Sequence, residues 1–245
     1  MNGFIAVYYR ELLILRRRFL KMLASMCVSP LLYLIAFGYA MGKSVLIDGH
    51  TYTEFLIPGL IAMSSMTRAF AIGSEINIAR FYWHIFEEFQ AAPINNWSYV
   101  LGETLAGVTR AIISSIVIIL IGIPFGVFLS YKSVAFWSAI FLNSFIFASI
   151  AVALAMLVKS HADQAILTNF IITPMGFLGG TFFPVERLPV WAQKIIYTLP
   201  LTHASKLIRD SAFKRDVGLN SFILLIVLAI VSFFIAVAVV EKAKD

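Results

Sequence analysis

Six stretches of the chain are apolar for about twenty residues each, the length a helix needs to cross roughly 30 Å of hydrocarbon. They fall at Met22–Met41, Phe55–Ile76, Leu105–Leu129, Ala135–Val158, Gln164–Phe183 and Leu219–Val240. Each is apolar around its whole circumference, whereas strands of a membrane barrel would alternate over about ten residues. Hydrophobic residues make up 60% of the 245 and charged ones 13%, with a mean hydropathy of +0.90. Soluble domains hold about half and a quarter of these classes, and a disordered chain would be charge-rich and poor in aromatics. The sequence therefore predicts an all-α integral membrane protein, residues 1–245 forming one transmembrane domain of six spans.

The connections are uneven. Spans three and four are joined by Ser130–Val134 and spans four and five by Lys159–Asp163, while longer polar stretches lie at 1–21, 42–54, 77–104 and 184–218. Arg16, Arg17, Arg18 and Lys21 abut the first span and place the N terminus in the cytoplasm; six spans return Lys242 and Lys244 to that side. Residues 184–218 then fall outside, although they carry Arg187, Lys194, Lys206, Arg209, Lys214 and Arg215, against that rule. The net charge of +6 is dispersed between apolar runs and lines no single face, which argues against nucleic acid as a partner. The first basic cluster leads into a full-length span with no small-residue cleavage site, so no signal peptide is expected.

Three polar stretches have helical patterning. In residues 1–21, Tyr8, Leu12, Leu15 and Phe19 share one face and Arg10, Arg17 and Lys21 the other, predicting an interfacial amphipathic helix or a basic flank that orients span one. Residues 77–93 combine aromatics with Glu87 and Glu88 and stop at Pro93, reading as a short surface helix or a solvated loop. In 184–218, Leu188, Trp191, Ile195 and Leu199 form one stripe between Pro189 and Pro200, predicting one or two re-entrant helices. Irregular backbone at membrane depth must be covered by protein or line a wet cavity.

Charges inside the spans mark function or pairing. Arg68 with Glu75, and Glu103 with Arg110, are each seven residues apart and so share a helix face; Glu75 and Arg110 can pair across helices. Such a pair fixes helix register, or the charges serve substrate passage or gating. Asn143, Ser144, Thr168, Asn169 and Thr173 line a pathway or bond neighbouring helices. Gly38/Gly42, Gly122/Gly126 and Gly176/Gly180 have the spacing that permits close helix approach, and Pro124 and Pro174 predict bends. Gly42-Lys43-Ser44 lacks the earlier glycine of a phosphate loop, Phe37 standing there. Four scattered histidines and the lone Cys27 offer no metal site, and no nucleophile elbow is present.

The run FLIPGLIAMSSM followed by FEEFQAAPI resembles the second span and following cytoplasmic helix of ABC-2 type transporter permeases. ITPMGFLGGTFFPVERLPVWAQKIIYTLPLTHASKLIR is similar to that family's fifth span, its Gly-Gly break and its outer re-entrant helices. The resemblance runs the whole length and implies a permease subunit of an ATP-driven exporter in the cell membrane, both termini cytoplasmic. It implies two permease copies, each docked on a nucleotide-binding ATPase subunit that holds ATP and Mg, and no cofactor or catalytic residue in this chain. Carried onto this sequence, it makes Arg10, Arg17, Phe86, Glu87, Glu88 and Phe89 contacts to the ATPase; Phe89 replaces the usual leucine. Arg68, Glu75, Arg110, Asn169, Thr173, Gly179, Gly180 and Phe183 become substrate-pathway or gating residues. The expected cargo is amphiphilic: a lipid-linked glycan, a lipid or a hydrophobic drug. The competing reading is an ion-coupled secondary transporter.

Overall fold

The computed structural model describes residues 3–38, 45–158 and 160–243; the predicted end of span one at Met41, the Gly42-Lys43-Ser44 tripeptide, Lys159, Lys244 and the side chain of Glu87 lie outside the described residues. Among the described residues the fold is all-α apart from one small hairpin. Helix α1 (Gly3–Tyr33) continues through a π turn (Leu34–Gly38); strands β1 (Leu46–Ile47) and β2 (His50–Thr51) pair antiparallel with Ile47 opposite His50. There follow α2 (Tyr52–Phe70), α3 (Ile72–Phe81), α4 (Ile85–Ala91), α5 (Asn96–Gly122), α6 (Val134–Leu157), α7 (His161–Leu167), a π turn (Thr168–Ile172), α8 (Thr173–Leu178), α9 (Val190–Ile196), α10 (Pro200–Ala212) and α11 (Leu219–Lys242).

Local chemistry sets the starts. Thr51 and Glu54 form a reciprocal capping box that opens α2, and the side chains of Asn95, Ser133 and Ser160 accept a backbone N–H at the heads of α5, α6 and α7. Gly126, in the left-handed region at φ 76°, ends the short 3₁₀ turn Ile123–Phe125 that holds Pro124. The third span thus stops at this turn, short of the predicted Leu129, and Pro124 terminates the helix where a bend within it was expected.

Among the described residues, five helical stretches are long and apolar enough to cross a membrane: Gly3–Gly38, Tyr52–Phe81, Asn96–Phe125, Val134–Leu157 and Leu219–Lys242. The stretch predicted as a continuous fifth span is α7, a π turn and α8 in series, with Asp163, Gln164 and Asn169 diluting its hydrophobicity. The predicted amphipathic helix is not a separate element. It is the first half of α1, and the face it buries is Val7, Glu11 and Leu15, while Phe19 is exposed.

The core lies between α2, α5, α6, α10 and α11, with Leu56, Ile57, Ile61, Met66, Ile118, Ile140 and Phe147 fully buried. Asn143 of α6 donates to the carbonyl of Ala62 (3.1 Å) and the hydroxyl of Ser65 (2.9 Å) on α2, so this polar residue is an interhelical tie. Backbones approach closely at glycines. A Cβ on Gly59 would sit 2.3 Å from the carbonyl oxygen of Thr181, and one on Gly102 would sit 2.7 Å from the Val7 side chain. The first notch seats the segment after α8 against α2; the second lets α1 lie on α5.

Both described chain ends share one end of the bundle. Gly3 lies against Ile94 and Ser98, and the carbonyl of Ala243 is 3.5 Å from Arg80 Nη2. We refer to this as the terminal end. The hairpin, the 126–133 connection, α9 and α10 lie at the other, far end.

Candidate functional site

A ring of charge sits at the terminal end, where α1, α3 and α5 meet. These three elements belong to stretches of 36, 30 and 30 residues, against 24 for α6 or α11. At 1.5 Å per residue the longer ones reach about 45–54 Å, about 15–24 Å more than hydrocarbon requires. A crossing of about twenty residues that began at Tyr52 would put Arg68 just inside the hydrocarbon edge and Glu75 just beyond.

The guanidinium of Arg110 on α5 is the hub. Its Nη1 donates to Glu75 Oε1 on α3, and its Nη2 to Glu11 Oε2 on α1 at 2.9 Å. Arg10 Nη1 donates to Glu11 Oε1 at 2.9 Å and stands 4.0 Å from Glu103 Oε1. Arg110, Glu11 and Glu103 are buried, at 4%, 5% and 2% exposure, while the Glu75 side chain is 45% exposed. The buried guanidinium of Arg110 offsets the desolvation of Glu11, while buried Glu103 has Arg10 only at 4.0 Å and its Oε2 has no hydrogen-bond partner. The Glu75–Arg110 pairing is therefore present in a larger set that includes Glu11. Sequence reasoning missed Glu11 because, read as part of a surface helix, it attracted no attention; its position four residues from both Val7 and Leu15 was the available signal.

The ring holds an elbow. His84 adopts the left-handed region at φ 54° and turns the chain from α3 into α4. Phe86 is buried edge-on to Tyr99 (5.5 Å between centroids), Phe89 packs on the same ring (5.3 Å), and Arg10 lies 5.3 Å over Phe89. Arg80 lies over Phe86 at 5.1 Å and donates to the carbonyl of Met156 at 2.7 Å. Phe86 and Phe89 thus pin α4 to α5 and point inward. The outward face of the elbow carries Tyr82, Trp83 and Glu88, all exposed. Arg17 is exposed at the mouth of a cavity of about 210 Å³ between α1, α3 and α4, which Glu75 and Glu103 line.

The predicted pathway residues do not share one place: Glu75 and Arg110 belong to the ring, and the others lie elsewhere. Arg68 lies between α1 and α2, donating to the carbonyl of Ser25 at 2.8 Å. Asn169 and Thr173 are exposed on the outer side of the broken α7–α8 segment, beside exposed Phe170 and Ile171. Thr173 bonds only its own π turn, through Thr168 O at 3.2 Å. Gly179 and Gly180 are buried; Gly180 needs its freedom, at φ 79°, and its carbonyl accepts from Arg209 Nη2 at 2.8 Å. Phe183 is half-buried next to Phe182, whose ring joins Tyr33, Phe37 and Phe177 in an aromatic cluster at the far end of α1.

The far-end cations that defied the charge rule are partly structural. Arg209 stacks over the Phe55 ring at 3.8 Å, and burial lowers its pKa to about 10. Arg215 bonds Asp48 Oδ2 and its carbonyl, both at 3.2 Å, clipping the hairpin to the loop after α10, where His50 stacks on Phe213 at 3.8 Å. On α9 the predicted stripe faces outward: Trp191 and Ile195 are exposed, and Ile196 is the buried residue. Among the described residues no cluster of three or more potential ligands for a metal ion occurs.

Comparison with known proteins accords with this arrangement. Residues 2–213 match the family model described as ABC-2 type transporter. The chain is 28% identical to Nodulation protein J of Sinorhizobium fredii over 245 residues, covering 98% of this chain and 93% of that protein. Nodulation protein J of Rhizobium meliloti is 29% identical over 249 residues (98% and 94%). Inner membrane transport permease YadH of Escherichia coli K12 is 28% identical over 192 residues (76% and 75%).

Proposed function

Since the chain belongs to the ABC-2 type transporter family, as a membrane permease that is not itself catalytic, we propose that it forms the transmembrane half of an ATP-driven exporter in the inner membrane. In this reading residues 1–245 act as one transmembrane unit. ATP and Mg are held by a separate nucleotide-binding subunit, and an amphiphile (a lipid-linked glycan, a lipid or a hydrophobic drug) leaves the cytoplasm or inner leaflet. The terminal end is cytoplasmic, as Arg16–Arg18 and Lys242 favour. In this reading the broken α7–α8 segment makes the sixth crossing, which five long helices with both described chain ends at one end of the bundle support. The helices α9 and α10 re-enter the outer leaflet.

The observation that carries this reading is the elbow. Three helical stretches longer than the bilayer, α1, α2–α3 and α5, converge on a short helix that is pinned from within by Phe86 and Phe89, and the elbow presents Tyr82, Trp83 and Glu88 outward. A push on α4 is transmitted through Tyr99 and Arg10 to the ring on α1, α3 and α5, as a rigid-body switch requires. Of the residues expected to meet the ATPase, Glu88 and Arg17 keep that role; Phe86, Phe89 and Arg10 act one layer behind the contact. The poorly covered faces of α1 (Val28, Leu32, Ile35) and of α7–α8 (Phe170, Ile171) suit a second permease copy, with cargo passing between. In the permease–ATPase complex, Tyr82→Ala with Glu88→Lys should uncouple ATP hydrolysis from the permease while leaving its thermal stability unchanged. Coupled hydrolysis at the wild-type rate in that variant would refute the docking assignment. Labelling of a cysteine at Gln193 from the cytoplasmic side alone would refute the orientation.

A further inference from the structure

A lateral cleft of about 260 Å³ opens between α1 and α2, lined by Ser29, Tyr33, Met63, Ser64, Thr67 and Arg68 among others. Arg68 is the sole charged side chain in that lining. No carboxylate pairs with it among the described residues; its guanidinium is held by one backbone carbonyl, Ser25 O at 2.8 Å. This differs from Arg110, at the same end of the bundle, which has two carboxylate partners. A cation at the inner edge of the hydrocarbon with most of its donors unspent is costly unless an anion meets it.

Position and lining narrow that anion. Arg68 is seven residues before Glu75, about 10 Å deeper along the helix axis, so it stands at the depth where a headgroup gives way to acyl chain. On the far-end side of Arg68 the cleft is lined by Thr67, Ser64 and Met63 and then Leu60, beside Pro30 and Tyr33 of α1. Tyr33 joins the cleft to the cluster of Phe37, Phe177 and Phe182. Hydroxyls near the cation and apolar surface beyond it fit a molecule with an anionic head and an apolar tail. The cleft is walled by α1, whose apolar stretch is largely uncovered by the rest of the bundle.

We propose that Arg68 and the α1–α2 cleft bind the anionic headgroup of an amphiphile, phosphate or carboxylate, with its tail directed toward Tyr33. As the point where cargo enters, the site rests on the export reading above; as an anion site it does not. The guanidinium offers a fork of donors to two oxygens of a phosphate, which a lysine ammonium meets only as a point charge.

The test uses the full chain in phosphatidylcholine nanodiscs and a diazirine-bearing dodecyl phosphate, with the matching dodecyl glucoside as neutral control. The phosphate should label α1 and α2 cleft peptides at least tenfold more than the glucoside. Arg68→Gln should abolish the difference and Arg68→Lys retain part of it. Equal labelling by the two probes in the wild-type chain overturns the proposal, whether or not Arg68→Gln folds. So does a cleft that stays unlabelled and instead cross-links to a second copy through a cysteine at Ser29. Displacement by phosphatidylglycerol in the disc supports the site with a membrane lipid as its source, and displacement by millimolar inorganic phosphate alone overturns the requirement for a tail. Discrimination at Arg68 without coupled ATP hydrolysis would sink the export reading and leave this site standing; the reverse result would do the opposite.

Discussion

Replacing Arg110 with methionine removes the hub of the terminal ring while keeping the volume of its stem. Glu11, whose side chain is 6% exposed, then loses its buried partner and keeps only Arg10, itself 29% exposed. Breaking a buried pair costs about 3–5 kcal/mol because a buried charge is left uncompensated, and the remaining Arg10 contact places the expected cost near ~3 kcal/mol. For a chain of this size that corresponds to a fall in Tm of about 6–12 °C. Glu75, nearly half exposed, contributes in the range of a surface pair, ~0.2–1 kcal/mol. A double-mutant cycle separates the two. Thermal unfolding in detergent micelles, followed by tryptophan fluorescence, should show that Glu11→Gln restores most of the loss in Arg110→Met and that Glu75→Gln restores little. Equal rescue by both, or an Arg110→Met chain as stable as the parent, would refute the assignment of Glu11 as the energetically dominant partner.

Gly59→Ala should prevent stable folding, since its Cβ would lie 2.3 Å from a backbone oxygen that no side-chain rotation can move; a normal yield of monodisperse protein would contradict this. Asn143→Ala should cost about 0.6–1.7 kcal/mol, the range of membrane interhelical hydrogen bonds, and a loss of Tm should be abolished when Ser65→Ala is already present only to the extent that the Asn143–Ser65 bond carries it. Arg215→Ala should release the hairpin from the loop after α10 and raise proteolysis between residues 45 and 51, with little change in Tm because the pair is exposed.

The long apolar runs are legible because hydrocarbon imposes a length: among the described residues, five of the six predicted stretches coincide with long helical stretches, Phe55–Ile76 with a small break inside it at Ala71 and the third overrunning its helix. What the runs concealed was continuity. The amphipathic stretch and span one are a single helix, since nothing between Arg16 and Met22 caps or breaks it. The broken fifth segment was half legible: Pro174 announced a disturbance, but the π turn arises at Thr168–Ile172, where Thr168 and Thr173 hydroxyls bond backbone carbonyls. In the charge ring, spacing revealed which carboxylates share a face with which arginines, and so the Glu75–Arg110 pair. It gave no sign of Glu11, which depends on the close approach of α1 to α5 at Gly102, or of the inward turn of Phe86 and Phe89, which depends on the ring of Tyr99 on α5; both are tertiary facts. The α9 stripe was correctly patterned yet faces outward, since amphipathicity marks an apolar face without saying what covers it.

The central claim is that force reaches this permease from a different polypeptide through the α4 elbow. Isolation of the full chain from native membranes in mild detergent, followed by measurement of ATP hydrolysis before and after stripping away bound subunits, tests it most directly. The account predicts hydrolysis that travels with a co-eluting nucleotide-binding chain and vanishes from the stripped permease. A permease that elutes with no such chain and moves an amphiphile uphill on a proton gradient alone would contradict it.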